Sequence, residues 1–424
     1  MKSIDLNKQI EQNKDTQKIL LPIMYSYKEK RDKLMSEEEK EIFRKELREI
    51  KEKSINDIDE LKKKATQNLE KNGIKVINAK DSEEANKKIK EIIGNEKLII
   101  KAKTNTANEI NLSEGLKDKE IVETDLGDFL VQIFEKKDLH PVLPAVNLTP
   151  EKISEKIKEK FNKEIKPDPE EITKFARDYL REKIFRSKIG ITGANVISSD
   201  GSVFILENEG NISLTSRIPD KHIIITSFDK IVSSREEAMK IVQASANFGT
   251  GQDYPVYVNV ISGPSKTADI QNNLTTGAQG AKEVYLILLD NKRTEILDSE
   301  FREILYCINC GACLNFCPVF NQIFTRYGGK NFPGAKGVIT SYFRDPGESV
   351  YNNGAFFCTT CKQCTENCPM KIDLSELMKK LRKELVNKNI EPDSVTEMIN
   401  NIEKKGNPFG EIDENKTPDK LYCC

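Results

Sequence analysis

Apolar positions in the first part of the chain follow a helical spacing and then change to a strand-like one. Ser36 and Glu39 have the spacing of a capping box, and apolar residues recur behind them at helical intervals until Asn72-Gly73. This pattern predicts an amphipathic packing helix within an N-terminal helical region, residues 1–72. From residue 73 short apolar runs alternate with charged helical stretches. The alternation predicts an α/β domain that contains a sheet, residues 73–295.

Individual elements of this α/β domain have their own signals. Apolar runs predict strands at residues 76–77, 98–100, 121–122, 222–228, 254–262 and 283–290. Charged stretches with helical spacing predict a helix over 82–93. Thr149-Pro150 and Asp168-Pro169 predict two further helix starts, since Pro suits the first helical position, and the second of these helices should end near Phe185.

Two more signals lie in the second half of the domain. Asp200-Gly201 separates two β-prone runs, and such a two-residue loop predicts a β-hairpin inserted in the α/β domain. Ser233 and Glu236 predict the capped start of a helix between the last strands.

The charge balance gives no reason to expect nucleic acid as a partner. The chain has 67 basic and 68 acidic side chains, for a formal net charge of -1. Its longest apolar runs have the length of strands, so membrane insertion is not expected. The polar N-terminal stretch lacks the apolar core of a secretory signal, which favours a cytoplasmic location.

All ten cysteines lie between Cys307 and Cys424, and eight of them form two copies of one motif. The copies are Cys307-x2-Cys310-x2-Cys313-x3-Cys317-Pro318 and Cys358-x2-Cys361-x2-Cys364-x3-Cys368-Pro369. This run ligates two [4Fe-4S] clusters in ferredoxins, where the fourth cysteine of each copy crosses to the other cluster. The motif therefore predicts a two-cluster ferredoxin domain over residues 296–387. One cluster is expected on Cys307, Cys310, Cys313 and Cys368, and the other on Cys358, Cys361, Cys364 and Cys317.

Zinc or unligated thiols are the competing interpretations of these cysteines. A structural zinc site uses two spaced pairs of ligands and leaves the regular third and fourth cysteines unexplained. Cys423 and Cys424 end a polar tail, residues 388–424, and are expected to be reduced and flexible rather than cluster ligands.

Motifs for other electron carriers are missing from the sequence. No G-x-G-x-x-G follows a strand and no P-loop occurs, so a bound nicotinamide is not predicted. Residues 190–195 and 262–269 are rich in glycine, hydroxyl, amide and lysine groups, which suit a carboxylate or phosphate. Purely structural glycine turns are the alternative.

Several segments together resemble the lactate utilization protein B family. They include IIKAKTNTANEINL, EIVETDLGDFLVQI, IGITGANVISSDGSVFILENEG and VISGPSKTADI, and they are followed by the two-cluster motif. The resemblance extends from about Lys75 to Leu385. It implies an α/β LUD domain similar to ribose-5-phosphate isomerase and CoA-transferase folds, followed by a mainly α-helical ferredoxin domain. It also implies a subunit of a non-flavin L-lactate dehydrogenase complex, working with a CCG-motif iron-sulfur subunit and often a second LUD protein.

A small 2-hydroxy acid is the substrate that this resemblance implies. Glu207 and Glu209 lie in a turn that resembles the catalytic turn of CoA-transferase-like folds, and either could serve as a base or be a solvated carboxylate. The residues predicted to bind substrate are Thr192, Gly193, Asn195, Asn211, Arg217, Ser262, Lys266 and Thr267. For Lys101 and Lys103 a solvated charged face is the simpler interpretation, and for His222 a packed or hydrogen-bonded side chain is.

Two other functions remain open at this level. Asn147 and Gln279 stand where the family commonly has His, and Gly406 to Gly410 resembles the junction before a CCG module in heterodisulfide-reductase-like proteins. One alternative is a non-catalytic electron-transfer adaptor in such a complex. The other is a ligand-sensing module whose clusters report redox state.

Overall fold

The computed structural model describes residues 6–135, 145, 147–329 and 332–412. Its strands are β1 (Ile74–Ala79), β2 (Leu98–Lys101), β3 (Glu120–Glu123), β4 (Ile189–Gly193), β5 (Val196–Ser198), β6 (Ser202–Glu207), β7 (Lys221–Ser227), β8 (Ile231–Val232), β9 (Tyr257–Ile261), β10 (Lys266–Thr267), β11 (Thr275–Thr276) and β12 (Glu283–Leu289). Its first helices are α1 (Asn7–Leu34), α2 (Glu37–Asn56), α3 (Ile58–Lys71), α4 (Ser82–Ile93), α5 (Asn105–Glu109), α6 (Leu112–Gly115), α7 (Leu126–Phe134), α8 (Pro150–Phe161), α9 (Pro169–Arg186), α10 (Asn211–Arg217) and α11 (Arg235–Thr250). The later helices are α12 (Arg293–Leu297), α13 (Ala312–Asn315), α14 (Phe320–Ile323), α15 (Gly334–Arg344), α16 (Glu348–Asn352), α17 (Gln363–Glu366), α18 (Leu374–Asn387) and α19 (Asp393–Lys405).

A six-stranded sheet in the order β1-β12-β7-β4-β2-β3 forms the centre of the α/β domain, and all its neighbouring strands are parallel. Successive side chains of β7 point to opposite faces, so Ile223 and Ile225 join one core and Ile224 joins another. Helices α4, α5 and α6 cover the first face. Helix α3 and the second sheet lie in the core on the opposite face. The predicted α/β class is thereby confirmed.

The second sheet has the order β8-β5-β6-β9 and contains the predicted hairpin. Strands β5 and β6 pair antiparallel on either side of Asp200-Gly201, and Gly201 has a φ of 86°. Glycine accepts this left-handed conformation at no steric cost. The segment after β6 then reaches the carboxyl end of β3, where Glu209 accepts a hydrogen bond from Leu126 N.

Helix starts agree with the predicted caps in three of four places. Ser36 and Glu39 form the capping box of α2, Thr149 caps α8 and Asp168 caps α9. The cap of α11 was predicted one residue too early, because Ser234 rather than Ser233 accepts the backbone N–H, from Glu237. Both serines satisfy the same four-residue spacing, so the sequence pattern alone does not separate them.

The N-terminal helical region differs from the single helix expected after residue 36. A break at Asp57 separates α2 from α3, and the long helix α1 precedes them. Leu20 and Met24 of α1 are fully buried. Asn13 Nδ2 of α1 donates to the carbonyl of Gln322 over 2.9 Å, and Arg44 Nε of α2 donates to that of Cys368 over 3.0 Å. The first two helices therefore pack against the cysteine region.

The cysteine region is mainly helical, as predicted. Short helices surround the two motifs, and α18 ends at Asn387, the last residue of the predicted ferredoxin domain. The segment beyond it was expected to be a polar tail, but it contains helix α19. Cys423 and Cys424 lie outside the described residues.

Candidate metal centres and the adjoining cleft

Two cavities divide the eight motif cysteines into sets of four. The first cysteine cavity is lined by Cys307, Cys310, Cys313 and Cys368. The second cysteine cavity is lined by Cys317, Cys358, Cys361 and Cys364, and Cys313 also reaches its wall. The fourth cysteine of each motif thus lies with the first three of the other motif. This is the crossed arrangement that the spacing predicts for two clusters.

The two cysteine loops repeat the same backbone conformation. The second residue after the first cysteine is left-handed in both loops, with φ of 60° at Asn309 and 54° at Thr360. The residue after the second cysteine is left-handed as well, with φ of 84° at Gly311 and 63° at Lys362. These turns curl each loop around its cavity, so that three cysteines of one motif face the same space.

Backbone N–H groups in these loops point at the sulfur atoms. Asn309 N donates to Cys307 Sγ, Phe320 N to Cys317 Sγ and Thr360 N to Cys358 Sγ, each over 3.4 Å. Such N–H···S bonds stabilise the thiolate form and are among the groups that tune cluster potentials. The donors in both loops therefore fit cluster-ligating sulfur.

Most of these thiols are in surroundings that disfavour a thiolate without a metal. Burial raises the pKa of Cys310, Cys317 and Cys368 to about 12 and that of Cys364 to about 11. Cys307 differs from these four: burial would raise its pKa, but Lys336, Lys230 and the hydrogen bond from Asn309 N outweigh that effect and lower it. Iron supplies the positive charge that keeps buried thiolates deprotonated, so the donor set suits an iron-sulfur cluster.

The four thiols of each set are spread around their cavity. Within the described residues, no three His, Cys, Asp or Glu side chains are close enough to hold one metal ion. A [4Fe-4S] cluster instead distributes its four thiolates over four iron atoms.

A cleft of about 350 Å³ lies between the α/β domain and the first cysteine loop. On the α/β side, residues at or beyond the carboxyl ends of β2, β3 and β4 line the cleft, where open α/β sheets bind ligands, and the end of β6 and part of α11 complete this wall. These residues include Lys103, Thr104, Asp125, Gly193, Asn195, Glu207, Glu209 and Asn211. Ile308, Asn309 and Cys310 form the opposite wall.

Shared walls connect the three spaces in one row. Ile308 and Cys310 line both the cleft and the first cysteine cavity. Cys313 and Leu374 line both cysteine cavities. Cys361, which lines the second cavity, is exposed to solvent. The row therefore runs from the cleft through two metal centres to the protein surface.

The two candidate bases have different surroundings. Glu207 is buried, and its carboxylate accepts hydrogen bonds from Ile212 N (2.6 Å), from Ser213 N (3.1 Å) and Oγ, and from Asn259 Nδ2 (2.7 Å). These contacts fix the start of α10 and use the acceptor capacity of the carboxylate. Glu207 is thus placed as a structural anchor in the cleft wall rather than as a solvated turn residue.

Glu209 is better placed for proton transfer. It lines the cleft while remaining exposed to solvent, and it accepts a hydrogen bond from Leu126 N over 3.1 Å. Partial enclosure by the cleft walls raises the pKa of Glu209, and the charge of Asp125 raises it further. A carboxylate with a raised pKa is a better proton acceptor.

The structure brings five of the ten predicted catalytic and substrate residues to the cleft. They are Gly193, Asn195, Glu207, Glu209 and Asn211. Asn195 Oδ1 accepts from Leu206 N over 3.0 Å, and Asn211 Nδ2 donates to Thr124 Oγ1 over 3.3 Å. Both amides therefore already hold the loops that form the cleft wall.

The other five predicted substrate residues are not among the described residues that line the cleft. Thr192 is buried, and Arg217 Nη2 donates to Asn259 Oδ1 over 2.8 Å. Ser262 Oγ lies 2.8 Å from Ser202 Oγ, and Lys266 and Thr267 form β10 of a separate two-stranded sheet. The glycine-rich segment 262–269 thus lies away from this site.

The buried position of Thr192 is explained by its contact with His222. His222 is fully buried in β7, and its Nε2 lies 2.8 Å from Thr192 Oγ1. Burial lowers the pKa of His222 to about 3, so the ring is neutral. The packed and hydrogen-bonded interpretation of this histidine is confirmed.

The lysines at and after the end of β2 also differ from expectation. Lys101 was expected on a solvated face, but it is 2% exposed and its Nζ lies 2.8 Å from Glu123 Oε2. Lys103 lines the cleft, with Nζ 3.2 Å from Asp128 Oδ1. The parallel pairing of β2 with β3 puts these lysines opposite carboxylates, which explains why Lys101 can be buried.

Lys230 and Lys336 were missed by the sequence interpretation. Lys230 lines the cleft, and Lys336 lines the first cysteine cavity. Asp229-Lys230 follows the apolar strand β7, which was the one available signal, because polar residues at such strand ends face the ligand edge of the sheet.

Comparisons with known proteins match two separate parts of the chain. The LUD domain family matches residues 62–289, and the 4Fe-4S dicluster domain family matches residues 303–372. Lactate utilization protein B of Bacillus cytotoxicus is 35% identical over 328 residues, which are 76% of this chain and 67% of that protein. The protein of the same name from Bacillus subtilis has the same identity and coverage. A solved DUF162 family protein from Deinococcus radiodurans covers 55% of this chain and 98% of its own, with 13% identity and a TM-score of 0.31.

The chain is a LUD-domain iron-sulfur protein with [4Fe-4S] clusters as cofactors. It belongs to the lactate utilization protein B family, which confirms the resemblance inferred from the sequence. In the part of the chain that the structure describes, none of the helices has the length and apolarity needed to span a membrane.

Proposed function

We propose that this chain is the iron-sulfur electron-transfer subunit of a non-flavin L-lactate dehydrogenase complex in the cytoplasm. The supporting observation is the row of cleft, first cysteine cavity and second cysteine cavity, in which each space shares wall residues with the next. The crossed sets of four cysteines hold the two [4Fe-4S] clusters. When bound, these clusters supply two one-electron carriers in series.

The cleft is the binding site for a small 2-hydroxy acid such as L-lactate. The ammonium groups of Lys103 and Lys230 on its walls attract the carboxylate. Glu209, whose pKa is raised by enclosure and by Asp125, accepts the hydroxyl proton. Glu207 holds the N–H groups at the start of α10 and so fixes the wall beside Glu209.

A partner subunit completes the reaction. Oxidation of a 2-hydroxy acid to the 2-oxo acid breaks the O–H and C2–H bonds and removes two electrons and two protons. Glu209 takes the hydroxyl proton and passes it to water, and water takes the proton from C2. Each cluster of this chain carries one electron at a time, and the sequence has no flavin or nicotinamide motif. A CCG-motif iron-sulfur subunit is the oxidant that receives both electrons, and a second LUD protein is a further candidate member of the complex.

The test compares the isolated chain with the reconstituted complex. Anaerobically purified chain should contain about eight iron and eight sulfide. It should show no lactate-dependent dye reduction alone, and activity should appear when the CCG-type partner is added. Robust lactate oxidation by the isolated chain would contradict this division of labour. Lactate oxidation by the complex that is unaffected by Glu209→Gln and Glu207→Gln would favour the alternative, an adaptor that only transfers electrons.

A further inference from the structure

Lys230 lies between the cleft and the first cysteine cavity. Its side chain is 7% exposed and forms part of the cleft wall. Its Nζ donates a hydrogen bond to the carbonyl oxygen of Cys307 over 2.8 Å and lies 3.7 Å from Asp229 Oδ2. One ammonium group thus contacts the backbone of a cluster ligand from a position beside the proposed substrate.

Asp229 does not cancel the positive charge at this place. Its Oδ1 is bound by Arg293 Nε over 2.7 Å, and its carbonyl oxygen accepts from Lys51 Nζ, which is also buried. On the other side, Lys336 donates to Asn309 Oδ1, and Asn309 N donates to Cys307 Sγ. Two ammonium groups, those of Lys230 and Lys336, thus contact the Cys307 loop, while the Asp229 carboxylate is shared with Arg293.

A buried positive charge next to a cluster raises the reduction potential of that cluster. Reduction adds one negative charge, and a nearby cation stabilises the reduced form more than the oxidised form. A carboxylate in the cleft is attracted by the same ammonium group, but it is repelled by the charge that reduction adds. By linkage, a ligand that binds more weakly to the reduced protein lowers the reduction potential by the same free energy.

We propose that Lys230 is a positioning residue that the cleft and the first cluster share. It raises the potential of the cluster held by Cys307, Cys310, Cys313 and Cys368, and it binds the substrate carboxylate. As a result, a carboxylate in the cleft binds more weakly when this cluster is reduced. Substrate then binds preferentially to protein that can accept an electron, and reduction favours release of the product, which is also a carboxylate. This inference rests on the proposed function for the identity of the clusters and of the ligand class.

The test uses oxamate, a small carboxylate without an oxidisable hydroxyl group, and the cluster-loaded full chain. Redox titration followed by EPR gives the potential of the first cluster, whose signal is the one retained in Cys361→Ser. Lys230→Gln keeps a hydrogen-bond donor for the Cys307 carbonyl but removes the charge. The first cluster of this variant should have a lower reduction potential than that of the wild type. The variant should also bind oxamate at least about fivefold more weakly. Lys266→Gln is the matched control, since Lys266 lies in the separate sheet with β11, and it should change neither quantity.

The oxidised and dithionite-reduced forms of the wild-type chain complete the test. Oxamate should bind at least about fivefold more weakly to the reduced form, and saturating oxamate should shift the potential of the first cluster downwards. If oxamate binds both forms equally and Lys230→Gln leaves the potential unchanged, the inference is wrong while the substrate site stands. If oxamate binds neither form, the proposed substrate site and the inference both fail.

Discussion

Arg344 Nη2 lies 2.8 Å from Glu109 Oε1, and this buried pair joins the cysteine region to the α/β domain. Arg293 Nη1 and Nη2 each donate to the same carboxylate over 2.8 Å, and Asn291 Nδ2 donates over 2.7 Å. Burial alone would raise the pKa of Glu109, but Arg293 and Arg344 lower it, so the carboxylate stays charged. The network holds α15 against the ligand edge of the sheet and keeps the cleft beside the first cluster.

Removing this carboxylate charge should destabilise the joint between the two domains. Glu109→Gln leaves Arg344 without its anion and Arg293 with Asp229 alone, and breaking such a pair costs about 3–5 kcal/mol. Chemical unfolding of the cluster-loaded chain measures this loss. Glu164→Gln is the matched control, because Glu164 pairs with Lys158 on the surface and should matter little. Equal effects of the two variants would contradict the assigned role of the buried network.

The crossed ligation predicts which cluster a single cysteine controls. Cys317 belongs to the first motif but lines the second cysteine cavity. Cys317→Ser should therefore alter the EPR signal of the cluster on Cys358, Cys361 and Cys364, whereas Cys368→Ser should alter the other signal. Loss of the cluster on Cys307, Cys310 and Cys313 in Cys317→Ser would show that each motif holds its own cluster.

The two glutamates of the cleft should respond differently to the same substitution. Glu209→Gln removes the proposed base, so turnover of the reconstituted complex should fall by about 100-fold while iron content and stability stay unchanged. Glu207→Gln should lower turnover because it loosens the cleft wall at the start of α10. It should also lower the free energy of unfolding by about 1–3 kcal/mol, because it removes a buried acceptor of several hydrogen bonds. A stability loss in Glu209→Gln with normal turnover would reverse these roles.

Acid should destabilise the fold through His222. Burial lowers the pKa of this histidine to about 3 in the folded state, while its ordinary value is 6.5. The contribution of neutral His222 to the free energy of unfolding is thus complete above pH 6.5 and is lost as the pH falls towards 3. At pH 5 the free energy of unfolding should already be lower by about 2 kcal/mol. Urea unfolding of wild type and His222→Asn at pH 7.5 and 5.0 measures this difference, since any acid loss of clusters is common to both proteins. Equal pH dependence in the two proteins would contradict the assignment.

Sequence pattern predicted the elements that depend on local chemistry. Asp200-Gly201 specifies its hairpin through turn conformation, and the cysteine spacing specifies the two clusters through the loop geometry. The sequence pattern failed for residues whose burial depends on segments that are distant in the chain. The sequence pattern predicts Lys101 on the surface, but β3 places Glu123 beside it and the pair is buried. The position of Lys230 depends on the Cys307 loop, which packs against the α/β domain and accepts its hydrogen bond.

The substrate segments show the same limit. Gly193 and Asn195 reach the cleft because β4 ends at the ligand edge of the sheet. Lys266 and Thr267 have similar composition but belong to a small separate sheet. Composition identifies groups that suit an anion, whereas the strand order determines which of these groups lie together in the cleft.

The most direct measurement follows the clusters of this chain while the complete complex oxidises L-lactate. The complex with the CCG-type partner is mixed anaerobically with L-lactate and examined by EPR, and the two signals of this chain are identified by their changes in Cys317→Ser and Cys368→Ser. Electron transfer through this subunit predicts that both signals of reduced clusters appear after lactate is added, and that they disappear when a terminal dye is supplied. Dye reduction at the full rate while both clusters of this chain remain oxidised would contradict the account.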